Sequence, residues 1–109
     1  MFKLHNWGYN FTCDQPIRAI LAVFKAASPW QWELRDSDIY GDYLNCRPKE
    51  HAQVQVYEYS QMRGASVGAR EGFSAWLQSD AENIVTRSEI DDVFRRLLKT
   101  IHATNITET

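Results

Sequence analysis

Three histidines, His5, His51 and His102, and two cysteines, Cys13 and Cys46, are the side chains of this chain best suited to acid–base or nucleophilic chemistry. Nucleophilic catalysis needs a thiol beside a base, and neither cysteine sits in a recognisable elbow or catalytic motif. Their spacing matches no metal site, so two reduced, buried thiols are expected. Asp36, Asp38, Gly41 and Asp42 begin as a calcium loop begins, with acids two apart and a glycine in sixth place. Such a loop needs an oxygen ligand in fifth place and a bidentate Glu in twelfth. Tyr40 and Arg47 hold those places, so a hairpin turn is the better reading. The stretch from Arg63 to Gly72 joins three glycines, Gly64, Gly68 and Gly72, to Arg63 and Arg70, a combination that can hold phosphate on freed backbone amides. No Lys-Ser or Lys-Thr pair follows it, as a nucleotide loop requires, and a flexible hairpin loop is expected. No catalytic residue, metal or cofactor is assigned.

One stretch carries a resemblance. Trp7, the apolar run from Ile17 to Phe24, Glu33-Leu34-Arg35-Asp36-Ser37, Gly41-Asp42-Tyr43-Leu44 and Arg47 together resemble the early part of a Src-homology phosphotyrosine-binding domain. The resemblance implies a strand whose Arg35 holds phosphate bidentately, with Ser37 and Arg18 assisting. The family's Phe-Leu-Val before that Arg is Trp32-Glu33-Leu34 here. Its later His-Tyr is Glu58-Tyr59, which sets an anion near any bound phosphate.

The elements that must position these residues follow from periodicity. Phe2 to Tyr9, rich in aromatics, predicts a first strand. Thr12 or Asp14 can cap a following helix, with Pro16 in its first turn. Ile17, Ile20, Leu21 and Phe24 fall on one helical face, and Ser28-Pro29 stops it. The period then becomes two: Trp30, Trp32 and Leu34 alternate with polar residues. After the Asp36-Ser37-Asp38 turn, Asp42 to Arg47 predicts another strand. Ala52, Val54 and Val56 mark the next, and Phe73, Ala75 and Leu77 a further one. The connections are too short for parallel crossovers, so the sheet is antiparallel. Thr86 and Glu89 have capping-box spacing, ahead of a helix from Ile90 to Ile101 with Val93, Phe94, Leu97 and Leu98 on its stripe. Ala103 to Thr109 is either a frayed tail or a short edge strand. The expected fold is a single α+β domain over residues 1–109: a curved antiparallel sheet of about five strands with two helices packed on it, in the order βαββββα.

A chain of 109 residues suits one domain. With 44% hydrophobic residues and 13% aromatics it can build a core, which argues against disorder. A formal charge of −2 gives no basic excess for nucleic acid. No apolar run approaches the ~20 residues of a membrane helix, and no secretory leader is visible at Met1–Trp7; neither nucleic acid nor membrane is an expected partner, and a cytoplasmic location is expected. The polar sides of the alternating strands carry Gln31, Glu33, Gln53, Gln55, Tyr57 and Tyr59, with Tyr40, Tyr43, Trp7 and Trp76 adding ring area. Exposed Tyr and Trp favour protein interfaces. These features predict a non-catalytic protein-binding module, in concrete form a small bacterial toxin-neutralising immunity or inhibitor protein that occludes its partner's surface. The partner-binding residues would be Glu33, Asp36, Asp38, Tyr40, Asp42, Tyr57, Glu58 and Tyr59. The alternatives are the phosphate-binding module built on Arg35 and a small enzyme with a site assembled from distant residues.

Overall fold

The structure, a computed structural model, describes residues 4–39, 41–59, 72–80 and 84–109, without the side chains of residues 84 and 85. Tyr40 and the glycine-spaced segment up to residue 71 lie outside the described residues. The elements run β1 (Leu4–Thr12), α1 (Ile17–Ala27), β2 (Glu33–Ser37), β3 (Gly41–Cys46), β4 (Gln53–Glu58), β5 (Phe73–Asp80), α2 (Ile84–Thr100) and β6 (Thr104–Glu108). The six strands form one antiparallel sheet in the order β2-β3-β4-β5-β1-β6.

Alternation in the strands decides what each face is. Trp7, Tyr9 and Phe11 of β1 stand in register with Leu77, Ala75 and Phe73 of β5. Those pair onward with Val54 and Val56 of β4, and these with Cys46 and Leu44 of β3. All of these side chains are buried, and both helices lie on this face. α1 presents Ile17, Ile20 and Phe24; α2 presents Ile90, Phe94, Leu97 and Leu98. Phe94 joins the layers, its ring 6.1 Å from Tyr9 and 6.5 Å from Phe24, which packs on Trp32 at 5.0 Å. Each such large side chain contributes roughly 1.5–3 kcal/mol on burial, before entropy is counted.

Three expectations need correction. The sheet has six strands, because Thr104–Glu108 pairs with β1 and takes the edge. All five of its residues are exposed, so backbone pairing rather than an apolar pattern places it there. Thr86 and Glu89 form no capping box: α2 begins at Ile84, putting both inside the helix, and the Glu89 carboxylate goes instead to Lys49 Nζ at 2.6 Å. The first helix starts from Pro16 in extended conformation with no side-chain cap, the Pro16 carbonyl accepting from the N–H groups of Ala19 and Ile20.

The C-terminal end of α2 is closed by backbone geometry. His102 adopts φ of 56° and the Ala103 N–H donates to the Leu98 carbonyl at 3.0 Å, a Schellman closure. The Cys13 thiol and the Gln15 amide both donate to the Ile101 carbonyl, each at 3.4 Å. Among the described residues no helix is long and apolar enough to cross a membrane.

Candidate functional site

The face of the sheet opposite the helices is covered by no described element. Strand register lays its side chains out in rows. One row is Glu33, Asn45, Gln55, Trp76 and Gly8; the next is Arg35, Tyr43, Tyr57, Ser74 and Asn10; Gln53, Gln78 and Asn6 make a third.

Asn45 is the hub of these rows, with only 1% of its surface exposed. Its Oδ1 accepts from Gln53 Nε2 at 2.6 Å and from Gln55 Nε2 at 3.3 Å, and its Nδ2 donates to Glu33 Oε1 at 3.3 Å. Three partners satisfy a buried amide that would otherwise cost free energy. The Tyr57 hydroxyl donates to Gln55 Oε1. Its ring stacks on Tyr43 across the strands, centroids 5.2 Å apart, and the Tyr59 hydroxyl donates to Asn10 Oδ1 at 2.7 Å. Tyr43, Tyr57, Tyr59 and Trp76 are all half-buried. Across from Trp76, Gly8 brings no side chain; a Cβ there would fall 2.5 Å from the Ala75 carbonyl oxygen, so strand spacing forbids any other residue without a backbone shift.

Charge on this face is internally matched. Arg35 donates through Nε at 2.9 Å and Nη2 at 2.6 Å to the same Glu33 oxygen. These bonds, with the one from Asn45, hold the Glu33 carboxyl below its ordinary range. A carboxylate so engaged is a poor proton acceptor, and the face offers ring surface and amides rather than a base or nucleophile.

The partner-binding residues expected from sequence divide between two faces. Glu33, Tyr57 and Tyr59 belong to the open face. Asp36, Asp42 and Glu58 share the parity of the core residues and lie on the helix side, Asp36 directly opposite Asp42. Asp38 is exposed in the β2–β3 turn, where Gly41 takes a φ of 68° that favours glycine. Ser37 Oγ accepts from the Ile39 N–H at 3.2 Å, stabilising that turn. The phosphate set does not converge. Arg35 is on the open face, whereas Arg18 projects from α1 on the other side and pairs with Asp42 at 3.2 Å. Asn45, Asn10, Ser74 and Gln78 were not singled out by sequence; their parity against Leu44, Tyr9, Ala75 and Leu77 is the signal that finds them.

The histidines and cysteines are dispersed. His5 stacks on Trp7 at 5.7 Å, His51 approaches Glu50 at 3.5 Å, and His102 forms the turn after α2. Cys46 is buried and its thiol is pushed well up by desolvation, which suppresses the reactive thiolate. Both cysteines are free, but Cys13 is only half-buried. Among the described residues no three His, Cys, Asp or Glu side chains gather as metal ligands. No protein-family model matches the chain, and no curated protein is significantly similar to it.

Proposed function

We propose that this protein is a non-catalytic protein-binding module whose working surface is the open face of the sheet. The observation that carries this reading is the cluster of four half-buried rings, Tyr43, Tyr57, Tyr59 and Trp76, set among amides on a face that no described element covers. Rings with polar tips give large contact area at low entropic cost, and amides supply both donors and acceptors. Of the acids near the β2 edge of the sheet, Glu33 lies on the open face, paired with Arg35, whereas Asp36, Asp42 and Glu58 lie on the helix side and Asp38 in the turn. Counted over both faces, Glu33, Asp36, Asp38, Asp42 and Glu58 outnumber Arg18, Arg35 and Arg47, so this edge of the sheet is net negative. Asp36 and Asp42 face each other across the strands on the helix side, where Arg18 pairs with Asp42 at 3.2 Å and offsets their repulsion.

The partner in this reading is a protein with a basic contact surface that reaches from the open face to the acidic β2 edge, and the concrete form is a bacterial toxin whose cationic active site is occluded in the cytoplasm. Rings anchor and acids steer. The test is co-expression with the product of the neighbouring gene, followed by size-exclusion chromatography and calorimetry of any complex. Tyr57→Ala and Trp76→Ala should each weaken binding by about tenfold or more. A complex that tolerates both changes, or no complex at all, would sink this assignment.

A further inference from the structure

β1 has a neighbour along its whole length on one side and along only part of it on the other. Its register with β5 runs from Leu4–Asp80 to Phe11–Phe73. With β6 it pairs at Tyr9, Asn10 and Thr12, and the Thr109 N–H donates to the Gly8 carbonyl at 2.9 Å. Within a strand each residue aims its N–H and C=O to one side, and successive residues alternate. Gly8 faces β6, so Asn6 and Leu4 face the same way, beyond the last β6 contact. No described strand pairs with them there. Both residues are exposed, Leu4 at 45%.

Beside this unpaired edge, on the helix side, is a cleft of about 270 Å³ walled by Trp7, Tyr9, Arg87, Ser88, Asp91, Arg95 and Glu108. Asp91 is fully engaged: it accepts from Trp7 Nε1 at 3.0 Å and from the Tyr9 hydroxyl, and it pairs with Arg95 at 2.9 Å. Arg87 is different. Its guanidinium lies 5.2 Å from the Trp7 ring centre, and among the described residues it makes no ion pair. Arg87 thus stands over Trp7, the residue between the two edge residues Asn6 and Gly8, without an ion-pair partner among the described residues. Glu108 nonetheless brings the formal charge of the lining, Arg87 and Arg95 against Asp91 and Glu108, to zero. Glu108 stands opposite Tyr9, where it disfavours a second acid.

We infer that the Leu4–Gly8 edge of β1 accepts an extended acidic segment of another protein as an added strand. The segment's backbone pairs with the N–H and C=O of Asn6, and the side chain it places opposite Trp7 is an Asp or Glu that bonds Arg87 and Ser88. Main-chain bonds supply affinity and the alternate side chain supplies selectivity. This edge is separate from the open face, and either can fail without the other.

The test is a titration of the full ¹⁵N-labelled chain with the blocked peptide acetyl-Val-Thr-Glu-Thr-Val-amide, followed by NMR. The Asn6 backbone amide and the Trp7 indole N–H should shift along one saturable curve. Affinity should drop at least about fivefold when the peptide's Glu becomes Lys, and equally with Arg87→Ala. Methylating the peptide's backbone nitrogens should abolish the Asn6 shift, while Tyr57→Ala should leave every one of these results unchanged. An unmoved Asn6 amide, equal affinity for the Glu and Lys peptides, or the same shifts with acetate alone would each overturn the assignment; the last would make the cleft an anion site and nothing more.

Discussion

The two faces of one sheet are made by alternating residues of the same strands, and they are built to different standards. On the covered face Tyr9, Phe11, Val54, Val56, Leu44 and Leu77 are buried against two helices. Its Asp91 cluster is well bonded: Asp91 takes the Trp7 and Tyr9 donors, and Arg95 binds both Asp91 and the Tyr9 hydroxyl. The Ser79 hydroxyl and the Trp32 indole N–H, by contrast, are buried without a partner among the described residues. On the open face the rings and most of the amides are half-buried around a buried Asn45, and they bond mainly to one another. Burial makes the first face indispensable to folding. The second holds more aromatic area than an exposed sheet surface needs, as suits a binding surface.

The largest effect is expected at Phe94, the ring that joins α2 to both Tyr9 and Phe24. Phe94→Ala should cost about 3–5 kcal/mol in urea unfolding. A loss below ~1 kcal/mol would mean that the helix layer does not hold the covered face.

Next comes Asp91. Asp91→Ala removes the acceptor of the Trp7 indole and the Tyr9 hydroxyl, each left unpaired at about 1–3 kcal/mol. Asp91→Asn retains one acceptor oxygen and should recover part of that loss in thermal unfolding. Equal loss in both variants would show that charge, rather than acceptance, is what the two donors require.

How much of this is legible in the sequence depends on what decides each residue's place. Ile17, Ile20 and Phe24, or Phe73, Ala75 and Leu77, are placed by their own periodicity, so α1 and β5 could be read directly. β6 could be read only as one of two alternatives, a frayed tail or a short edge strand, because Thr104–Glu108 has no buried face and owes its position to backbone bonds with β1. Thr86 and Glu89 have the spacing of a cap, yet the helix begins earlier and Glu89 is claimed by Lys49, 40 positions away, a contact only the tertiary structure reveals. The open face was half legible. Tyr57, Gln53 and Gln55 follow from alternation in β4, whereas Asn45 becomes a hub only once register sets Glu33, Gln53 and Gln55 around it. Parity likewise separates Asp36 and Asp42 from Glu33, though all had looked like one acidic patch.

A smaller effect separates the faces by pH. Burial raises the Tyr9 hydroxyl from 10.0 to about 12, helped by its bond to Asp91, and burial also raises the Cys46 thiol. The unfolded chain therefore releases these protons first. The stabilisation is fully present below the unfolded-state values and is lost as pH rises through the folded ones, so stability should fall between about pH 10 and 12. Tyr9→Phe should flatten that decline in a series of unfolding curves, and an unchanged slope would remove Tyr9 from the alkaline limb.

The smallest stability effect belongs to the open face. Tyr43 and Tyr57 form a cross-strand ring pair, and such pairs are worth about 0.2–1 kcal/mol. The double change Tyr43→Ser with Tyr57→Ser should thus leave urea unfolding nearly where it was, since the register of β3 and β4 is held from the other side by Leu44 against Val56 and Cys46 against Val54. If the pair instead proves as costly as Phe94, the rings are part of the fold's support and their presence needs no partner to explain it. If stability holds and the complex is lost, the same two residues divide cleanly: their backbones serve the sheet, and their side chains serve what binds to it.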